Sequence, residues 1–256
     1  MNYISQDLPD INNQPAAKRE VLNVSGLSAG YGPMRVIHDL DLVVKSGERV
    51  GIVGLNGHGK STLFYGIAGL TGWQRGSIKL NGIEIGRTRS QGPGRYTHEI
   101  VRAGLALIPQ GDEIFHGLTV EEHLDSGAFT QRAWRERAQR KQRVLQIFQP
   151  LRKLMNVPVG RLSGGERRMV SIGRGLMADA SLFLVDEPSL GLAPKIGKSV
   201  IEALMGVELG ESAMVIAEQN VALLEGRVDR ILGMHAGQLK GEASAATLAI
   251  HDYAGG

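Results

Sequence analysis

The chain has 256 residues, 42% hydrophobic and 21% charged, enough apolar material for one sizeable core or two small ones. It has no cysteine, which excludes disulfides and thiol-ligated metal sites. The net charge of +3 is local rather than spread: residues 132–143 hold six basic side chains against Glu136, a net of +5, and the remainder sums to −2. That segment reads as a solvated helix face, or as a contact for acidic lipid headgroups or a membrane partner, rather than as a nucleic-acid footprint.

Residues 1–20 are polar, contain no apolar run of signal-peptide type, and are expected to form a mobile arm. No stretch reaches the roughly 18–20 consecutive apolar residues needed to span a bilayer, so a membrane role is expected to come through partners. Extended segments follow at 21–28 and, with partial alternation, at 36–44. Residues 49–54 are a short β-rich apolar run ending in glycine, the pattern of a buried parallel strand, and 60–69 carry apolar residues at helical spacing. Strand, glycine loop and helix in that order open a doubly wound α/β domain. A further buried strand is predicted at 105–108, closed by Pro109. A helical stretch is predicted at 119–154, with breaks near Thr130 and at Pro150, then a helix at 164–178 and strands at 181–185 and 213–217. The tail reads as an extended run at 231–234, a turn at Ala236-Gly237 and a last small helix from Ala243.

The glycine loop, Gly54-Leu55-Asn56-Gly57-His58-Gly59-Lys60-Ser61-Thr62, fits the phosphate-loop pattern G-x-x-x-x-G-K-[ST] in its required setting between strand and helix. Its glycines let successive backbone N–H groups turn toward phosphate oxygens, and the helix N-terminus adds partial positive charge. Lys60 is expected on the β- and γ-phosphates of ATP and Ser61 on Mg²⁺. His58 takes its place in the loop but fits no pattern of its own. Residues 181–187 form an apolar strand that delivers Asp186 and Glu187 at its end, the first suited to Mg²⁺ and the second to polarising an attacking water. Many strands end in acidic residues; the pairing with a phosphate loop gives this one its meaning. Leu162-Ser163-Gly164-Gly165-Glu166 opens a helix, with Ser163 as N-cap, and is also a plausible anion site.

Taken in order from about residue 20 to 250, these three motifs resemble the ABC ATPase family. The resemblance implies an α/β P-loop NTPase (RecA-like) core with an antiparallel β subdomain and a helical signature subdomain at about 111–179. Residues 21–250 are then one ATPase domain, with 251–256 as a tail. It further implies that Ser163, Gly164, Gly165 and Glu166 contact ATP held by a second cassette, the same chain or a related one, in a head-to-tail dimer. Tyr31 matches the aromatic that stacks on adenine, although by itself it reads as a turn tyrosine. Gln110 matches the glutamine that senses Mg²⁺, and the helical insert after it is expected to face integral-membrane permease subunits. Two positions depart from the general pattern: Gln219 stands where histidine is usual, able to hydrogen-bond a γ-phosphate but not to become cationic, and Ala193 stands where aspartate is common.

The runs Glu218-Gln219-Asn220, 188–194 and 117–122 look like the subgroup that energises uptake of branched-chain amino acids, with relatives for urea or short amides. Gln110 inside Pro109-Gln110-Gly111 leans toward the latter. The expected assembly is peripheral on the cytoplasmic face of the membrane, serving an extracytoplasmic substrate-binding protein indirectly and no nucleic acid. The rival reading is an ABC ATPase acting on ribosomes or nucleic acid; such chains usually carry two cassettes or a coiled-coil insertion, and this sequence has neither. The glycine- and arginine-rich residues 86–95 read as a variable surface loop.

Overall fold

Two sheets enclose the first helix of the chain in the computed structural model, which describes residues 18–86, 97–111 and 113–242. A long hairpin, β1 (Glu20–Tyr31) and β2 (Met34–Lys45), precedes β3 (Arg49–Val53) and α1 (Lys60–Ile67). Next come β4 (Trp73–Leu80), β5 (Ile83–Gly86), α2 (Thr97–Arg102) and β6 (Leu105–Ile108). The helical layer holds α3 (Val120–Asp125), α4 (Gln131–Arg135) and α5 (Arg137–Ile147), with short 3-10 turns at Gln149–Lys153 and Val159–Arg161. Then α6 (Gly164–Leu176), β7 (Leu182–Asp186), α7 (Pro194–Met205), β8 (Ala213–Glu218), β9 (Arg230–His235) and β10 (Gln238–Glu242) complete the fold.

The smaller sheet is antiparallel, in the order β2-β1-β4-β5. The larger one runs β10-β9-β3-β8-β7-β6 and is parallel from β9 to β6, with β10 antiparallel at its edge. Strands β7 and β8 are buried along their whole length, as parallel strands covered on both faces must be. Successive side chains of a strand point to opposite faces, and here that alternation divides one sheet between two cores. Val50, Ile52, Leu184 and Val215 pack with α1 and the hairpin, while Val53, Val185, Met214 and Ile216 pack with the helical layer and α7.

The predicted strands and helices are present, displaced by a few residues at their ends. The helical stretch breaks at Thr130 because Thr119 and Thr130 each cap a new helix, Thr119 in a reciprocal capping box with Glu122. The boundary of the expected arm needs correcting: Glu20 already opens β1, and the Arg19 carbonyl accepts from Ser46 N–H at 2.8 Å. The rest of that arm, the 87–96 part of the glycine-rich loop and the helix expected from Ala243 lie outside the described residues. The sequence pattern does not single out strands β4, β5 and β10 or helices α2 and α7. In β4 the apolar rhythm is broken by Gly76, which lies at φ 101°, so close to β1 that a Cβ there would fall 2.5 Å from the Gly26 carbonyl oxygen.

Half of the basic segment is paired with carboxylates. Arg140 binds Glu136 and Asp179, Lys141 binds Glu121 and Asp125, and Arg132 binds Glu136 at 3.2 Å. Among the described residues no helix is long and apolar enough to cross a membrane.

Candidate functional site

Three adjacent parallel strands, β3, β8 and β7, end side by side, Val53 opposite Glu218 and Asp186 opposite Ala217. The carboxyl ends of parallel strands are where open α/β sheets bind ligands. The loop after β3 leaves the sheet at Gly54, where a Cβ would stand 2.3 Å from the Met234 carbonyl oxygen, so only glycine fits. Gly57 and Gly59 have φ of 84° and 102°, and Gly59 is the N-cap of α1. Asn56 and Gly57 are exposed at the loop tip, and Ser61 and Thr62 are half-buried on the first turn of α1.

Lys60, by contrast, is buried. Its Nζ donates to the carbonyls of Gly54 at 2.7 Å and Leu55 at 3.2 Å, and lies 2.9 Å from Glu187 Oε1. The His58 side chain points away from these groups: Nδ1 lies 3.1 Å from the Met234 carbonyl, and its ring meets His235 edge-on at 4.6 Å between centroids. Its own carbonyl accepts from Gly237 N–H at 2.9 Å. Side chain and carbonyl together pin the loop to the β9–β10 turn.

At the end of β7 the alternation that would send Asp186 and Glu187 to opposite faces is broken. Glu187 has φ 42°, in the left-handed region, and its N–H donates to the Ala217 carbonyl at 3.0 Å. Both carboxylates are thereby buried at the same strand end. Burial pushes the Asp186 carboxyl above its ordinary range; the Ser61 hydroxyl pulls it down, Glu187 pushes it up, and Lys60 and Arg168 pull it down. Apart from the Ser61 hydroxyl, the Asp186 oxygens have no hydrogen-bond partner. A buried carboxylate so poorly satisfied, beside a hydroxyl, is a donor set suited to a hard cation such as Mg²⁺.

Glu218, at the end of β8, is also buried and raised by that burial, partly offset by hydrogen bonds. It accepts from Ser189 N–H at 2.9 Å and Gln219 N–H at 3.3 Å. It thereby ties the segment after Glu187 to the segment after β8. Gln219 is exposed and lines, with Glu187, Ser189 and Glu218, an open cleft of about 410 Å³.

The remaining sequence-predicted residues are carried by other elements. Tyr31 is exposed at the tip of β1, next to the Gly32 carbonyl that accepts from Trp73 Nε1. Gln110 is exposed just beyond β6, the neighbour of β7. Ser163 caps α6 as expected, in a box with Glu166: Ser163 N–H donates to Glu166 Oε2 at 2.8 Å and Ser163 Oγ to the same oxygen at 2.7 Å. Sequence reasoning passed over two residues the structure places at the centre. Glu218 was read only as part of a subgroup pattern, and Arg168 was not singled out.

A family model described as ABC transporter matches residues 37–190, more than half of the chain and including the phosphate loop, Ser163–Glu166 and Asp186-Glu187. The chain belongs to the ABC transporter family. Among curated ABC relatives, the high-affinity branched-chain amino acid transport ATP-binding protein BraG of Pseudomonas aeruginosa is 36% identical over 200 residues, 78% of this chain and 82% of that one. The probable branched-chain amino acid transport ATP-binding protein LivF of Archaeoglobus fulgidus is 34% identical over 205 residues, again 78% and 82%. A solved ATP-binding cassette of an ABC transporter in its ADP conformation superimposes with a TM-score of 0.74 at 21% identity, covering 93% of this chain and 99% of that one, a likeness of fold. As an ABC transporter ATP-binding subunit, the chain is an ATPase.

Proposed function

We propose that this ABC ATPase energises an importer for branched-chain or other amino acids, urea or short amides, working as a head-to-tail pair with a second cassette on integral-membrane permease subunits. The observation that carries the hydrolytic reading is the burial of Lys60, Asp186 and Glu187 together at three neighbouring strand ends, beneath a glycine loop built for phosphate. The importer reading is supported by the likeness to BraG and LivF. The proposed unit is one domain over 21–250 with a helical subdomain at about 111–179, of which the insert between Gln110 and Ser163 faces the permease.

In this reading Tyr31 stacks on the adenine, and the main chain of Gly54, Asn56, Gly57, His58 and Gly59, with Thr62 on the first helical turn, surrounds the phosphates. Lys60 exchanges its carbonyl and Glu187 partners for the β- and γ-phosphates, since a polyanion outbids one carboxylate and two neutral carbonyls for an ammonium. That exchange frees Glu187 to accept a proton from the attacking water. Mg²⁺, held by Asp186, Ser61 and Gln110, would neutralise phosphate charge in the bound state. Gln219 offers its amide to the γ-phosphate from the open cleft. Ser163, Gly164, Gly165 and Glu166 complete the site of the partner cassette.

Affinity co-purification from gently solubilised native membranes, with partners identified by mass spectrometry, tests the assembly. Two permease subunits and a second cassette are expected. Ribosomal or nucleic-acid-bound proteins without a permease would overturn the transport reading and leave the ATPase.

A further inference from the structure

Arg168 is the largest fully buried side chain among the described residues, and it stands on α6 two residues beyond the Ser163–Glu166 box. Arginine keeps its charge in a protein interior, so a buried guanidinium is tolerated only when its fork of donors is satisfied. Here five N–H donors meet five main-chain carbonyls. Nε donates to Pro188 at 3.2 Å; one terminal nitrogen donates to Pro109 at 2.9 Å and to Gly111; the other donates to Asp186 at 2.8 Å and Glu187 at 3.2 Å.

Those carbonyls belong to two loops at the ends of the neighbouring strands β6 and β7. In the first loop the bound carbonyls flank Gln110 on both sides. In the second they are those of Asp186 and Glu187 themselves and of the residue that follows. Arg168 therefore grips the main chain of Asp186 and Glu187 directly and that of Gln110 through both of its neighbours. It does so from a third element, the helix whose N-terminus is the signature. The grip also accounts for the persistence of Glu187 at φ 42°, because a strained residue survives only where its surroundings over-determine it.

We propose that Arg168 is a positioning residue for ATP hydrolysis: a bracket that locks the Gln110 loop and the Asp186–Glu187 turn to each other and to α6. Movement of the signature helix, which serves the partner's nucleotide, is thereby transmitted to this chain's own hydrolytic end. The inference rests on reading that end as the MgATP site. Lysine cannot replace the bracket, since its three donors satisfy at most three of the five carbonyls and carry no fixed fork.

Arg168→Lys and Arg168→Met in the full chain test it, with MgADP affinity, steady-state ATP hydrolysis and amide exchange measured on each. Both variants are expected to bind MgADP within about threefold of the unsubstituted chain. Their kcat should fall roughly 10²-fold with KM little changed, since misplacement of reacting groups by about 1 Å has that effect. Exchange should accelerate in peptides covering 105–111 and 186–192 while peptides of β3 and β8 stay unchanged. Full kcat with unaltered exchange would overturn the bracket. So would exchange rising across the whole chain, with activity tracking only the folded fraction, which is the signature of a residue that merely stabilises. If the unsubstituted chain neither binds nor hydrolyses MgATP, the site reading fails instead, and the exchange pattern, which needs no nucleotide, still decides the bracket.

Discussion

The charged side chains at the ends of β3, β7 and β8 and those of α4 and α5 are chemically the same kinds of residue in opposite surroundings. Lys60 and Glu187 form a pair with 3% and 6% of their side chains exposed, whereas Arg132 and Glu136 pair at 72% and 38%. An exposed pair gains little, because water and salt screen it and two long side chains must be ordered. A buried pair loses so much hydration that it rarely stabilises a fold over apolar residues of the same size. The exposed Arg132–Glu136 pair of the helical layer is thus a weak cross-link. The strand ends hold a cluster of Lys60, Asp186, Glu187, Glu218 and Arg168 that stability alone does not explain. The contrast supports the proposal that this end of the sheet is the working part of the molecule.

The comparison breaks if the buried lysine proves dispensable. Lys60→Ala should weaken MgATP binding by roughly 10- to 100-fold, the worth of hydrogen bonds to a charged group, in a fluorescent-nucleotide or calorimetric titration. Unchanged affinity would mean that the phosphates sit elsewhere.

A titratable group inside the helical layer sharpens the same contrast. His123 on α3 is wholly buried, its Nε2 accepts from Phe115 N–H at 3.2 Å, and Nδ1 has no partner. Burial first, and then the positive charge of Arg174, lower its pKa from 6.5 to about 4. Between those two values the unfolded chain binds a proton that the folded chain refuses. Stability contributed by the neutral ring is therefore full above pH 6.5 and lost progressively as pH falls toward 4. Urea midpoints measured across this window should fall less steeply for His123→Gln, which keeps an acceptor for Phe115. Parallel curves for the two proteins would remove His123 from the account.

The smallest effect belongs on the surface. Arg132→Ala should leave the thermal midpoint unchanged within error, because the pair is solvated. A clear fall in the midpoint would mean that the exposed network is structural after all.

What was legible in the sequence is what is local in it. The phosphate loop, the strand ending in Asp186-Glu187 and the Ser163–Glu166 cap are each contiguous, and each folds as its spacing demands. Residues whose partners are remote were not legible. Arg168 looks like one of three arginines on α6 until its acceptors, 57 and 59 residues away along the chain, are brought beside it. His58 reads as a loop residue, yet its ring answers a carbonyl 176 positions later. Glu218 is indistinguishable from an exposed strand-end acid until β7 and β8 pair and bring Ser189 N–H to it. Pro194 at the start of α7 is a readable helix signal that was passed over, so that omission lies in the reading and not in the physics.

The most direct test of the account compares phosphate release from MgATP by the unsubstituted chain and by Glu187→Gln, with nucleotide affinity measured on the same preparations. The substituted amide keeps the shape and a hydrogen-bond acceptor but cannot take a proton. The account predicts retained MgATP binding and hydrolysis slowed by roughly 10²- to 10⁴-fold, the usual worth of a general base. Hydrolysis at the unsubstituted rate would contradict it, leaving the buried carboxylate beside Lys60 without the role assigned to it.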